Sequence, residues 1–285
     1  MVTTTRGTVR RPRSSTALTA GARPTAITTL SERTLFKKWL VYSDSGAGKT
    51  VFGGTAPNSL FLEFDPEGTE SAKNFGSTAD TLPMPDEKSW REALDYFTHG
   101  SGCQDYEWVT IDTLSEGEDV IWRSHLKEMH ERKPSSRSLY KPALEDYQII
   151  GNKVKEIVEA FNRLPINVLY TCHVMSVDRW DDDKDEEYAE TMPLLGSVKT
   201  GVLSRKVCAK VSLVGYLDVK NRRTEDDEIE EFRRLYVSKR RTMIAKNRYG
   251  WGKWIDDPTV PLLTSLAEPQ PDEDTRPRRR PRRSA

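Results

Sequence analysis

Apolar positions in this chain fall into two rhythms, short solid runs and stripes at three- and four-residue steps, and the two alternate. Residues 39–42 (Trp-Leu-Val-Tyr) form a solid run that reads as a buried strand, and a helix is expected to start at Lys49. A second strand is expected over 60–65, closed by Pro66 and Gly68. Residues 89–98 place Trp90, Ala93, Leu94 and Phe97 on one helical face, and 108–112 read as a third strand. The clearest helix spans 142–164, with Ile150, Val154, Ile157, Phe161 and Leu164 as its stripe. A fourth strand covers 167–173 and ends at His173. The acid-rich stretch 174–191 then reads as a mobile, solvated loop. Segments 207–219 and 234–246 read as later strands joined by the polar stretch 221–231. This alternation predicts an α/β fold, a mostly parallel sheet flanked by helices. Such sheets bind ligands at the carboxyl ends of their strands.

The candidate chemistry starts at the end of the first strand. Ser43, Asp44, Ser45, Gly46, Ala47, Gly48, Lys49 and Thr50 match the phosphate-binding pattern G-x-x-x-x-G-K-[ST] at every position but the first, where Ser43 replaces glycine. A strand, a Gly-rich turn and a helix start together form an anion cradle. Gly46 and Gly48 let the backbone approach phosphate, Lys49 is expected to reach the β and γ phosphates, and the Thr50 hydroxyl to hold Mg²⁺. The expected ligand is a nucleoside triphosphate, ATP, bound with Mg²⁺.

Charge changes the picture at the ends of the chain. The formal net charge of its 285 residues is zero, with 44 basic and 44 acidic side chains. Residues 1–30 carry five Arg and no acid, and 272–285 carry six Arg, so the segment between them is acidic. The expected organisation is a basic disordered arm over 1–30, an ATPase domain over 31–266 and an Arg/Pro-rich disordered tail over 267–285. The tail run Arg-Pro-Arg-Arg-Arg-Pro-Arg-Arg suits phosphate backbones. No apolar run approaches a membrane span, no secretory h-region opens the chain, and the three cysteines form no C-x-x-C pair. These features lead to an expectation of no membrane association, reduced thiols and a cytoplasmic location.

Acids at strand ends supply the remaining candidates. Asp112 closes an apolar strand and suits a carboxylate that coordinates Mg²⁺. Thr113 follows it, where an AAA+ machine usually carries a catalytic Glu, and that position argues against the AAA+ class. Glu67, in the turn after the second strand, is the candidate for orienting the attacking water, with Asp65 and Glu63 as rivals. His173, closing the fourth strand beside the expected pocket, is placed to sense the γ-phosphate.

Taken in order, Ser-Gly-Ala-Gly-Lys-Thr, Asp65-Pro66-Glu67, Asp112-Thr113 and His173 resemble the RecA-like ATPase core over about 34–254. More narrowly, the chain is similar to phage-encoded RecA-like proteins of the Sak-four single-strand annealing group. The resemblance implies that Glu67 activates water, and that a late Lys-x-Arg-x-Gly element reaches a neighbouring subunit's ATP site. That element maps onto Lys246-Asn247-Arg248-Tyr249-Gly250. Departures are Ser43, His173 in place of a polar amide, and an acidic loop where a DNA-holding loop is cationic. Lys199, Arg205, Lys206 and Lys210 offer positive charge downstream, along a helix that would face a central channel.

The combined expectation is a Mg²⁺-dependent ATPase that self-associates as a ring or filament and acts on single-stranded DNA in phage recombination or replication. A single-strand binding protein is a possible partner, and the host cytoplasm the place of action. Alternatives are a helicase or packaging motor and an ATP-gated DNA clamp with negligible turnover. A small-molecule kinase is a weaker option, whose lid would be 125–141.

Overall fold

A computed structural model of the chain describes residues 35–197, 199–224 and 226–268. The N-terminal arm and nearly all of the C-terminal tail anticipated above lie outside the described residues. The described part of Phe36–Ala285 packs as one unit.

Among the described residues, ten strands and eight helices run in the order β1 (Lys38–Ser43), α1 (Lys49–Gly54), β2 (Ser59–Glu63), α2 (Pro66–Asn74), β3 (Asp80–Pro83), α3 (Glu87–Thr98), α4 (Gly102–Asp105), β4 (Trp108–Asp112), α5 (Leu114–Arg132), α6 (Leu144–Arg163), β5 (Asn167–Asp181), β6 (Glu186–Pro193), α7 (Val202–Lys210), β7 (Leu213–Arg223), β8 (Ile229–Tyr236), β9 (Lys246–Asn247), β10 (Trp254–Asp256) and α8 (Val260–Ala267). The sheet order is β10-β8-β7-β1-β5-β4-β2-β3, with β6 paired to β5 and β9 to β7. Pairing is parallel from β3 through β7 along this order, and antiparallel where β8 meets β7 and β10. This is the α/β architecture the alternation predicts.

Alternation along β1 shows why the sheet is covered on both faces. Leu40 and Tyr42 pack into a cluster with residues of α3, α5, α6 and α7, whereas Trp39 and Val41 face a second cluster with Phe52 of α1 and Val260 and Leu263 of α8. All six residues of β1 are buried, so the phosphate loop leaves the centre of the sheet. Two lysines close helix ends below it. Lys38 Nζ donates to the carbonyl oxygens of Phe161 and Leu164 at the end of α6, and burial pushes its ammonium down to about 8. Lys246 Nζ does the same for α7, donating to the carbonyls of Cys208, Ala209 and Val211.

Several segment expectations are corrected. The stretch 174–191 is a β-hairpin: β5 stops pairing with β1 at His173 and pairs with β6 from Val174 on. Met175, Val177 and Met192 form a small apolar cluster under it, and the acidic run sits at the hairpin turn. Residues 207–210 are the end of α7, because Leu203, Ser204, Val207 and Cys208 bury one helical face. Within the polar stretch 221–231, residues 221–223 and 229–231 are ladder rather than connection, held by cross-strand pairs such as Arg222–Glu230 at 2.8 Å. The strand expected over 234–246 ends at Tyr236. Residues 125–141 are no lid. Buried Asp146 accepts from His125 Nε2 at 2.9 Å, from the Ala143 amide at 2.7 Å and from Arg137, which ties the segment to α6. Burial works against that carboxylate, yet these hydrogen bonds hold it below its ordinary value.

Among the described residues no helix is long and apolar enough to cross a membrane. Cys172 and Cys208 are buried, and burial pushes both thiols up, Cys208 to about 12; Cys103 is half-buried, and its thiol is raised by the same cause. A thiol-reactive dye is therefore expected to label Cys103 first in the folded protein and all three cysteines only after denaturation. Equal labelling rates in the folded protein would contradict this packing.

Candidate nucleotide site

The loop after β1 takes its shape from two glycines. Gly46 and Gly48 have φ of 77° and 98°, conformations in which a Cβ is strained, and Gly48 opens α1. Ser45, Gly46, Gly48, Lys49 and Thr50 line a pocket of about 710 Å³ above the strand ends. Ser43, Asp44 and Ala47 stand behind it. The Ser43 side chain is fully buried, and its Oγ accepts from Lys49 Nζ at 3.3 Å. Asp44 accepts from Lys49 Nζ through its carbonyl at 2.9 Å and from the Tyr216 hydroxyl through its carboxylate at 3.2 Å. These three positions hold the loop rather than face the pocket.

Lys49 and Asp112 bring opposite charges into the pocket floor. Both are buried. Burial pushes the Lys49 ammonium down and the Asp112 carboxyl up, and each partly offsets the shift of the other. Asp112 Oδ2 accepts from Thr50 Oγ1 at 2.8 Å, and Oδ1 accepts from Thr171 Oγ1. Strand order explains this meeting. β5 lies between β1 and β4, so Thr171 of β5 bridges the loop strand and the Asp112 strand.

His173 stands opposite Ser43 in the β1–β5 register and lines the pocket. Its Nε2 lies 3.3 Å from Glu116 Oε1, and its amide donates to Ser115 Oγ at 3.0 Å. Ser115 Oγ in turn donates to the Leu194 carbonyl at 2.8 Å, and the Leu194 amide to the His173 carbonyl at 2.7 Å. This chain of bonds joins the pocket to the root of the β5–β6 hairpin.

Of the carboxylates after β2, Glu67 and Asp65 line the pocket, whereas Glu63 does not. Buried Glu63 accepts from Thr69 Oγ1, and Asp65 caps α2 by accepting from the Glu67 amide at 3.1 Å. Glu67 is left exposed at the first turn of that helix.

Two pocket residues escaped the sequence reading. Glu116 reaches the pocket because Thr113 caps α5, accepting from the Glu116 amide at 3.2 Å. The sequence signal was Thr-x-x-Glu ahead of an amphipathic stretch. A carboxylate absent next to Asp112 is thus present at Glu116, in the first turn of α5. Arg233 of β8 is the other: its Nε donates to the Ala47 carbonyl at 3.1 Å. No local pattern marks it, since β8 is the far arm of a polar hairpin.

Lys246 and Arg248 are not in this pocket. Lys246 pairs with Val214 near the start of β7, at the end of the sheet opposite the loop, and its Nζ is held by the α7 carbonyls described above. Arg248 is exposed beside it. Arg205 and Lys210 of α7 are likewise engaged within the chain, with Glu190 and with Glu159 at 2.7 Å.

No curated protein matches the chain. Among solved structures it is similar to a KaiC-like protein of the hyperthermophilic archaeon Pyrococcus horikoshii, at 12% identity and a TM-score of 0.35, with 78% of this chain and 89% of that one covered. The family described as AAA domain matches residues 36–249. That span runs from the entry into β1 to just past β9 and takes in the loop, Asp112, Glu116, His173 and Arg233, and the chain belongs to the AAA domain family of P-loop proteins.

Proposed function

We propose that this chain binds ATP with Mg²⁺, hydrolyses it, and works as a self-associating RecA-like ATPase on single-stranded DNA. The observation that carries the reading is the meeting of Lys49, Thr50 and Asp112 in one pocket with Glu67, Glu116 and His173 around it. The donor set fits Mg²⁺: Thr50 Oγ1 and Asp112 Oδ2 are hard oxygens 2.8 Å apart, with Thr171 fixing the carboxylate from behind. When bound, Mg²⁺ would draw charge from the β and γ phosphates. Lys49 contributes a buried cation to the same oxygens, and the loop amides add fixed dipoles. Glu67 orients the attacking water from the mouth of the pocket.

Hydrolysis would be felt at the hairpin through Glu116, His173, Ser115 and Leu194, which form a continuous hydrogen-bonded route from the pocket. In the assembled state, Arg248 of one subunit would complete the site of the next, with Lys246 anchoring the strand from which it projects. The motif order supports the narrower reading, a phage Sak-four-like protein in annealing or pairing, acting in the host cytoplasm alongside a single-strand binding protein. The basic terminal segments are then available for DNA phosphates.

The test is steady-state ATPase of the full chain across protein concentration, with and without single-stranded DNA. Turnover is expected to rise more steeply than linearly with protein, to increase with DNA and to stop on chelation of Mg²⁺. Turnover linear in protein and indifferent to DNA would sink the assembling, DNA-directed part of the reading. ATP binding without turnover would favour the clamp.

A further inference from the structure

Arg233 gives the pocket a second cation from within the same chain. Besides the bond from its Nε to the Ala47 carbonyl, its Nη1 donates to Glu231 Oε1 at 2.7 Å. A Cβ placed on Gly48 would stand 3.5 Å from Arg233 Nε, so the guanidinium lies against the last glycine of the loop. Its backbone holds the neighbouring part of the pocket lining: the Asp257 amide donates to the Arg233 carbonyl at 2.7 Å, and the Arg233 amide to Asp257 Oδ1 at 3.2 Å. Two guanidinium nitrogens are therefore engaged, while Nη2 makes no hydrogen bond to the described residues. The Glu231 pair is no strong competitor, because the Glu231 side chain is 58% exposed and such rim pairs contribute little.

Sheet order sets which part of a nucleotide this cation meets. β8 and β4 lie on opposite sides of β1, so Arg233 and Asp112 flank the loop from opposite sides. Thr50, Asp112, Glu116 and His173 mark the terminal-phosphate side. On the Arg233 side the lining turns apolar, with Leu217, Phe232 and Pro258, which suits a nucleoside.

We propose that Arg233 is a nucleotide ligand supplied in cis, with its guanidinium on the phosphate nearest the ribose, while its Nε bond to Ala47 steadies the loop. The proposal rests on the ATP reading above. A planar fork with several donors can hold a loop carbonyl and a phosphate oxygen at once, which a lysine cannot do as well.

The test is calorimetric binding of ATP and ADP, without turnover, to the wild type, Arg233→Gln, Arg233→Lys and, for comparison, Lys49→Ala, at two salt concentrations, with thermal melts to check folding. Arg233→Gln is expected to weaken ATP and ADP by the same factor, about tenfold, because both share the α-phosphate. Arg233→Lys, which keeps the charge but not the fork, should recover only part of that affinity, and the gap between the Lys and Gln variants should narrow as salt rises. Three results would overturn the assignment: affinities within about twofold of wild type for Arg233→Gln, a loss confined to ATP, or equal losses for Gln and Lys. If the wild type binds neither nucleotide, the ATP reading itself fails and this one with it. Binding lost only in Lys49→Ala overturns the Arg233 assignment and leaves the ATP reading standing.

Discussion

Lys49→Ala is expected to lower ATP turnover by about 10³-fold and ATP affinity by at least about tenfold. Lys49 is the buried cation at the phosphate end of the pocket, and its Nζ already sits within 3.1 Å of the Ser43 carbonyl and 2.9 Å of the Asp44 carbonyl. A cation in that water-poor position acts on phosphate charge with little screening, and nothing reorganises when the charge develops. The fold should survive. The backbone ladders of β1 with β5 and β7 do not use this side chain, and burying its ammonium is itself a cost. Lys49→Arg should not rescue turnover, because a larger planar head does not fit a site whose lysine is only 6% exposed. Steady-state ATPase, calorimetry and circular dichroism on the purified variants check each part. Turnover within about tenfold of wild type would remove Lys49 from the mechanism.

Glu67→Gln is expected to lower turnover by about 10²–10⁴-fold while ATP affinity stays close to wild type, the pattern of a lost water-orienting carboxylate. Glu67 is suited to this role by its position. Asp65 takes over the capping of α2, so the Glu67 carboxylate is not consumed by the helix and projects at the pocket mouth. Glu116→Gln is the necessary comparison. Its carboxylate lies against His173 at 3.3 Å, so we expect a smaller loss of turnover and a weaker link between nucleotide state and the hairpin. Single-turnover hydrolysis of both variants decides between them. If Glu116→Gln stops hydrolysis and Glu67→Gln barely slows it, the water is oriented from α5.

Much of the architecture was legible because the central strands are buried on both faces. β1, β2 and β4 are solid apolar runs that cannot be read as anything else when flanked by turn residues. The stripe of α6 was equally plain, and its observed span differs from the expected one only at the ends. Errors fell where burial is one-sided or local. The β5–β6 hairpin carries charges on its open face and three buried residues beneath, so its composition resembles a loop. The β7–β8 arm is stabilised by cross-strand charge pairs, which leave no apolar period to detect. The role of Thr113 was not legible either: the threonine caps α5, accepting from the Glu116 amide, and so turns Glu116 into the pocket.

The phosphate loop and the place of Asp112 at a strand end follow from the order of residues, because they depend on local backbone freedom and on one buried run of side chains. Glycines at positive φ and a Lys-Thr pair at a helix start need no distant partner to be recognised. The tertiary structure alone decided which carboxylates and cations share the pocket. β5 inserts between β1 and β4 and brings Thr171 and His173 to the loop, while β8 curls back to lay Arg233 on Ala47. The same topology carries Lys246 to the far end of the sheet and binds its ammonium to the end of α7. Such meetings depend on strand order and on contacts between residues up to 186 positions apart, and a linear pattern has no term for either.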